Sequence, residues 1–561
     1  MAPDQKPGAV ESHDGKVAPK EPKALLVESL PRIFVERSEA REMVDQESSQ
    51  EERERRPPLD EKRIVGFYWA GALILAVAVR FYLFRHYYSI NNDGIAYLEA
   101  ARYFWQGHWV DGLASIHPPL FPLMIAAVYP VTRDWELAGQ FWPLILGVLV
   151  LFPLFGLLRR LHGPRVACVA LIFYAVSPHL SNLSLEVRSE IPYIFFLVSS
   201  FYLFQRGLQE ENGGYVFLMG GVSALAYLVR PEGIGIVLVV VTFVLFRGRY
   251  LARLERAPLK AAVLVLGFLL FAAPYIFYLR WNTGEWSISR KGGAMVLVGL
   301  ERRGDTAAQE RLQDKASRIE IVKEILARPL AYPRKVLIDA FAAVGFYVKA
   351  LYPSYLPFLL IGWFLFFRER FWGKGDFVLL VFIFFSLAVL SLLSPSLRYA
   401  VPLAALSLGW VGTGYLAAEK FFFEKWGRRG RLATGLTLAV FAILTIPKTL
   451  QPVGWNKGHL RNAGLYLREK PGDPTILSGS AQVSFYSAGK NRVISSQDYA
   501  SLLDMDGDYL ALGDKAVNKL AGLFEERGWF VDREFSRRGQ GKIVVFRRIA
   551  SGPLQSSVSP N

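Results

Sequence analysis

The chain is 561 residues long, 52% hydrophobic and 14% aromatic, with only 20% charged residues. A soluble chain of this length would make about three or four domains of about 150 residues, and its surfaces would need more charge than this. The formal charge of +16 does not point to nucleic acid: residues 1–63 hold 12 Lys/Arg against 15 Asp/Glu, so the basic excess lies among the apolar runs further on. The one cysteine, Cys168, sits inside an apolar run, which excludes a disulfide framework or a cysteine metal cluster and reads as a small buried side chain.

Residues 1–63 are charged and punctuated by proline, without the apolar core and cleavage site of a secretory signal, and are read as a disordered tail. The first apolar run, 64–84, is then an uncleaved anchor. Further spans are expected at 137–158, 166–180, 191–204, 215–229, 234–246, 261–281, 351–367, 377–393, 400–418 and 432–450, eleven in all. Crossing a core of about 30 Å takes about 17 to 25 helical residues. The 14-residue apolar stretch 118–131 is therefore read as a juxtamembrane or half-inserted helix. Loops 159–165, 206–214, 247–260, 368–374 and 419–431 carry 17 Lys/Arg against 6 Asp/Glu, whereas 181–190, 230–233 and 395–399 together carry three of each sign. By the positive-inside rule the first set faces the cytoplasm with the N-terminus, and the second faces outward. Two long outer loops are expected, about 85–136 and 282–350.

From 451 to 561 the pattern changes to amphipathic helices (460–469, 515–526) alternating with short strand-like runs (475–477, 492–494, 509–512, 542–546). This is expected to be a small α/β domain outside the membrane. Its Tyr486, Trp529 and Phe530 are read as a small aromatic core in preference to a sugar groove. The expected fold class is thus an all-α polytopic membrane protein with a small C-terminal extracytoplasmic α/β domain.

Four polar clusters fall on the outer side of this register, the first of them spread over two motifs of the first long loop. Asn91-Asn92-Asp93-Gly94-Ile95-Ala96-Tyr97 opens an amphipathic helix; Asp93 and Tyr97, four apart, share a face. Asp before Gly is also an ordinary helix cap, and capping is compatible with accepting a proton. His117-Pro118-Pro119-Leu120 holds a histidine against two prolines that fix its direction. On spacing alone, a surface or core role for that histidine is preferred over phosphate binding. Glu186-Val187-Arg188-Ser189-Glu190 precedes one span, and Arg230-Pro231-Glu232 and Arg398-Tyr399 border others. Charges at span ends are cheap to solvate, but four mixed clusters on one face point to a shared polar cavity.

The order of these motifs resembles GT-C glycosyltransferases, over roughly 64–450. It is similar to the bacterial members of the dolichyl-phosphate-mannose protein mannosyltransferase family (glycosyltransferase family 39) and to the lipid A aminoarabinose transferase. The resemblance implies a multi-pass protein of the cell (inner) membrane. It would transfer a monosaccharide, with inversion, from a polyprenyl-phosphate carrier to an acceptor hydroxyl on an envelope lipid, glycan or protein at the outer face. Asp93 would be the general base and Glu190 the second-loop acid. His117, Arg398 and Tyr399 would contact the carrier phosphate. By their own residue type and place, Tyr97, Arg188, Arg230, Arg290 and Lys291 are further candidate substrate contacts. Many relatives carry Asp-Glu where this chain has Asp93-Gly94, so a carboxylate is missing there. A divalent cation is compatible with this chemistry but is not indicated.

Such a transfer needs a base beside the attacking oxygen and cations around the departing phosphate; Asp93 and the arginines are of the right types. The run Asp504-Met505-Asp506-Gly507-Asp508 imitates metal loops, but Tyr509 and Lys515 stand where a calcium loop needs Gly and Glu. No GxGxxG after a strand, GxxxxGK[ST] or HExxH occurs. The alternatives are a transporter or flippase of a lipid-linked saccharide, which predicts charges in mid-span and related halves, and a glycan-binding pseudoenzyme.

Overall fold

The computed structural model describes residues 59–250, 256–290, 331–368, 375–489, 491–496, 498–537 and 540–548. Most of the expected tail, Lys291 and much of the second long loop lie outside these residues. Contacts divide the chain at Gly66/Phe67. Among the described residues, the part before the division comprises the first turns of α1 (Leu59–Arg85), and residues from 67 onward form the second unit.

The membrane part is helical. Six helices among the described residues are long and apolar enough to cross a bilayer, and a bent pair makes a seventh; five shorter apolar helices of 10–17 residues pack with them. The protein is therefore a multi-pass membrane protein. Its first spanning helix is α1. The run expected at 137–158 is a longer element, α5 (Trp135–Leu149) continuing through Val150 into α6 (Leu151–His162). The segment 166–180 divides instead into α7 (Pro164–Ala175) and α8 (Pro178–Leu183), because Pro178 cannot continue the first helix. Next come α9 (Glu190–Gln209), α10 (Gly213–Val229), α11 (Ile234–Tyr250) and α12 (Ala257–Thr283).

The expected loop 282–350 and span 351–367 need correction. Residues Ala331–Leu351 form a helix, α13, joined at Pro353–Tyr355 to α14 (Leu356–Arg368) with a bend of 84°. Tyr352 sits at φ 77 and Pro353 follows it, so the helix must break there. The charges of α13 hid it from a hydropathy reading. Lys335 pairs with Asp339 at 3.5 Å and donates to the Leu392 carbonyl at 2.8 Å, so it neutralises an acid and satisfies a helix end at once. The bundle closes with α15 (Phe377–Leu392), α16 (Leu397–Trp426) and α17 (Arg428–Thr449).

Two helix crossings rest on bare backbone. A Cβ on Gly220 of α10 would stand 2.1 Å from the Leu264 carbonyl oxygen, and one on Gly267 of α12 would stand 2.3 Å from that of Phe217. Gly362 and Gly414 do the same between α14 and α16. In lipid, where helices gain little from hiding apolar surface, such close approach supplies the packing.

The first long loop holds α2 (Asn92–Trp105), α3 (Trp109–Leu113) and α4 (Leu120–Thr132). The last is 13 residues long, about 20 Å, and too short to cross.

The C-terminal part contains α18 (Gly458–Arg468), α19 (Ala481–Ser487), α20 (Tyr499–Asp504), α21 (Asp514–Lys519) and α22 (Leu523–Glu526). They accompany a sheet of β1 (Thr475–Ser478), β2 (Arg492–Ser495), β3 (Tyr509–Gly513), β4 (Trp529–Ser536) and β5 (Lys542–Arg548), in the order β2-β1-β3-β5-β4. β2, β1 and β3 run parallel, with Leu477 opposite Leu510; β5 is antiparallel to β3 and β4. Strand β4 was not expected, because most of its residues face solvent and only Trp529 is fully buried. Phe530 lies on the surface, Trp529 is buried in the core of this domain and Tyr486 is buried against residues of the first loop, so the three do not form the expected single aromatic core. The aspartates of the metal-like run are engaged separately. Asp504 pairs with Arg527, Asp506 with Arg548 at 3.3 Å, and Asp508 accepts from the Thr475 amide at 2.8 Å.

This domain is tied to the first loop. Tyr88 donates its amide to the Val453 carbonyl at 2.9 Å, and Val453 donates to that of His86 at 3.2 Å. The Tyr486 hydroxyl accepts from the Ile90 amide at 2.8 Å and donates to Glu136 at 2.5 Å. A tyrosine expected only to fill a core therefore fixes the segment leading into α2.

Candidate functional site

Asp93 lies in the first turn of α2, where a carboxylate is favoured by the helix dipole. It is not the cap: Asn91 holds that position, its side chain accepting from the Gly94 amide at 2.7 Å. Relieved of capping, the Asp93 carboxylate forms an ion pair with Arg398, which is 305 residues away in sequence and in the first turn of α16. A guanidinium at a helix N-terminus faces the positive end of the dipole and calls for an anion. In this structure Asp93 is that anion. Gly94 has little room for a side chain, since a Cβ would stand 2.8 Å from Ile90 Cγ1 and 3.0 Å from the Val187 carbonyl oxygen.

Both residues line a cavity of about 400 Å³ that also receives Tyr97, His117, Glu190, Arg230 and Tyr399. The sequence clusters at 93–97, 117, 189–190, 230–232 and 398–399 thus converge on one space. Arg230 ends α10 in an extended conformation before Pro231, as the proline requires, which turns its side chain inward. Its guanidinium bonds Glu190 at 2.9 Å and Glu232 at 3.2 Å and lies 4.8 Å from the Tyr399 ring centre. Burial opposes the charged guanidinium, but the carboxylates of Glu232 and Glu190 outweigh it and hold Arg230 firmly protonated. Glu190 is 2% exposed. Ser189 links the arginine to α2, at 3.4 Å from Arg230 and 2.8 Å from the Tyr97 hydroxyl. Burial, reinforced by Glu190, raises the Tyr97 phenol well above its ordinary range, so it stays a neutral hydrogen-bonding group. His117 is buried, and its ring lies 4.2 Å from that of Tyr97. The lining also includes the apolar residues Leu238, Phe385, Val389 and Leu390.

Two expected substrate contacts are not brought together here, and a third is not described. Arg188 lies outside the cavity lining and pairs with Glu186 at 2.8 Å. Arg290 donates instead to the Ala114 carbonyl, pinning the segment after α12 to the first loop. Lys291 is outside the described residues.

One neighbour was missed. Lys457, half-buried in the turn Trp455–Lys457 of the C-terminal domain, interacts electrostatically with Arg188, Glu186 and Asp93; burial first, and then Arg188, push its ammonium below the ordinary lysine range. Glu186, which also accepts from Asn91 at 3.0 Å, is raised above the ordinary carboxylate range by burial. Nothing local in the sequence around 457 marks this role, because a fold-level contact between the 86–91 segment and Val453 creates it.

Residues 116–278 match the sequence model of a family described as Dolichyl-phosphate-mannose-protein mannosyltransferase. ArnT from Cupriavidus metallidurans, in a structure bound to undecaprenyl phosphate, superposes with a TM-score of 0.54 at 14% identity over 87% of this chain and 99% of that one. These likenesses show a GT-C fold. The apo form of the same ArnT gives 0.54 at 12% identity, covering 88% of this chain and all of that one (100%). The Archaeoglobus fulgidus oligosaccharyltransferase, in complex with Zn and sulfate, gives 0.52 at 14% identity over 79% of this chain and 67% of that one. No curated protein matches by sequence. The GT-C fold is common to transferases that differ in sugar and acceptor, so the chemistry of this member has to be argued from its own cavity.

Proposed function

We propose that this GT-C protein transfers a monosaccharide, with inversion, from a polyprenyl-phosphate carrier to an acceptor hydroxyl at the extracytoplasmic face of the cell membrane. The observation that carries the proposal is the meeting of Asp93 and Arg398 in one cavity lined by both charged and apolar residues. The apolar residues suit the first isoprenes of a carrier and the basic ones its phosphate. Arg398 stands at a helix N-terminus, where an incoming phosphate is favoured by both the guanidinium and the unpaired amides.

In this reading phosphate replaces Asp93 as the partner of Arg398. The released carboxylate takes the proton of the acceptor hydroxyl as its oxygen attacks the anomeric carbon from the face opposite the phosphate. The bond between that carbon and the phosphate oxygen breaks, and polyprenyl phosphate departs with its negative charge against Arg398, Arg230 and His117. Glu190 is held against Arg230 and acts as a positioning residue for that guanidinium, leaving proton transfer to Asp93. Tyr97 and Tyr399 add to the polar lining.

Two measurements test this. Native mass spectrometry of the purified protein with undecaprenyl phosphate should show a complex that Arg398→Gln weakens. Mass spectrometry of envelope glycans should show a species lost on gene deletion and restored by the wild type. Absence of undecaprenyl phosphate binding would sink the proposal, and so would translocation of a lipid-linked sugar in proteoliposomes without any glycosylated product.

A further inference from the structure

A second cavity, of about 790 Å³, opens between α6 and α9. Its position on α9 is marked by Tyr202, 12 residues beyond Glu190, about 18 Å along the helix from the catalytic cavity. Phe152, Phe155, Gly156, Arg159 and Arg160 come from α6, and Ser199 and Tyr202 from α9. These positions recur at three- and four-residue spacing on the facing sides of two helices. Gly156 makes the groove, since a Cβ there would stand 2.5 Å from Tyr202 Cε2.

The two arginines differ. Arg160 is engaged, bonding Gln209 at 2.7 Å and Glu210 at 2.7 Å, and Glu210 is shared with Arg206 at 3.0 Å. Arg159 is exposed in the last turn of α6 and has no carboxylate partner among the described residues. An unneutralised guanidinium thus sits in the last turn of a membrane helix whose first turn adds Phe152, 50% exposed, to the same groove.

We propose that this groove binds an anionic phospholipid, with the lipid phosphate on Arg159 and an acyl chain along Phe152 and Phe155. The planar guanidinium fork matches two phosphate oxygens, and Tyr202 and Ser199 add hydroxyls to the same groove. A soluble phosphate would leave the aromatic side chains of the groove unused. Basic grooves between helices at a membrane surface have the right polarity for such headgroups.

The test is native mass spectrometry of the full-length protein with phosphatidylglycerol or phosphatidylcholine, recording how much lipid survives activation. Phosphatidylglycerol should be retained over phosphatidylcholine, and Arg159→Gln should lower its retention about fivefold, the weight of one basic side chain at an anionic surface. Arg159→Lys, which keeps the charge without the fork, should fall between. Arg431→Gln, on another exposed arginine at the start of α17, should change nothing. Equal retention of the two lipids, an unchanged Arg159→Gln protein, equal loss with Arg431→Gln, or displacement of the lipid by inorganic phosphate would each overturn the proposal.

Discussion

Replacing Asp93 by Asn separates the two tasks assigned to this carboxylate. The amide is nearly isosteric and keeps an oxygen that can accept from Arg398, but it cannot take a proton. Its structural cost is small: the Asp93 and Arg398 side chains are 33% and 30% exposed, and ion pairs this open are worth about 0–1 kcal/mol. The catalytic cost is larger. A positioned general base contributes about 10² to 10⁴-fold, about 2.7 to 5.5 kcal/mol at 1.36 kcal/mol per tenfold. Asp93→Asn should therefore retain the wild-type melting temperature and undecaprenyl phosphate binding while the rate of glycan formation falls at least about a hundredfold. The assay is single-turnover transfer by purified protein in bilayer discs, with the donor identified from the deletion-strain glycans. Transfer at near wild-type rate would refute the assignment and leave Asp93 as a partner of Arg398 alone. A melting temperature that collapsed together with activity would refute the claim that the pair is structurally cheap.

Three further outcomes are expected from neighbouring contacts. Glu190→Gln removes one of two carboxylates from the buried Arg230; with Glu232 still at 3.2 Å, it should cost about 2–3 kcal/mol of stability, visible as a lower melting temperature together with weaker phosphate binding, and an unchanged protein would refute the positioning role. Gly454→Ala puts a Cβ 2.4 Å from the Ser89 carbonyl oxygen at φ +67, so the C-terminal domain should loosen from the first loop by more than about 1 kcal/mol, read as faster proteolysis near residue 454. Burial raises the Glu186 carboxyl above its ordinary 4.5; the native state then binds the proton more tightly than the unfolded chain, and stability falls as pH rises from 4.5 through the raised value. Glu186→Gln should flatten that decline in a melting-temperature series, and an identical pH profile would show that Glu186 does not control it.

The sequence was most readable where its signal is local. Apolar runs long enough to meet lipid announced most of the bundle, and strand-like runs between glycines and aspartates announced four of the five strands. It was misleading where partners are distant. Helix α13 carries Lys335 and Asp339, which look like loop residues until the pair and the carbonyl of Leu392 neutralise them. Arg80, within the first span, is 1% exposed and lies 5.0 Å from the Tyr174 ring centre, a burial that its flanking residues do not foretell. Arg188 and Arg290 had the right chemistry at the right loops, yet each is held by a neighbour outside the cavity.

Residue types and their order were enough to place Asp93, Glu190, Arg230 and Arg398 at the borders of apolar runs, because hydropathy and helix-start chemistry act over a few residues. Which of them share a cavity, that Asn91 rather than Asp93 caps α2, and that Lys457 comes up beside them from the last domain were decided only when the chain packed. Ion pairs depend on separations of a few ångströms between atoms that are up to 305 residues apart in the chain, and no local pattern carries that distance.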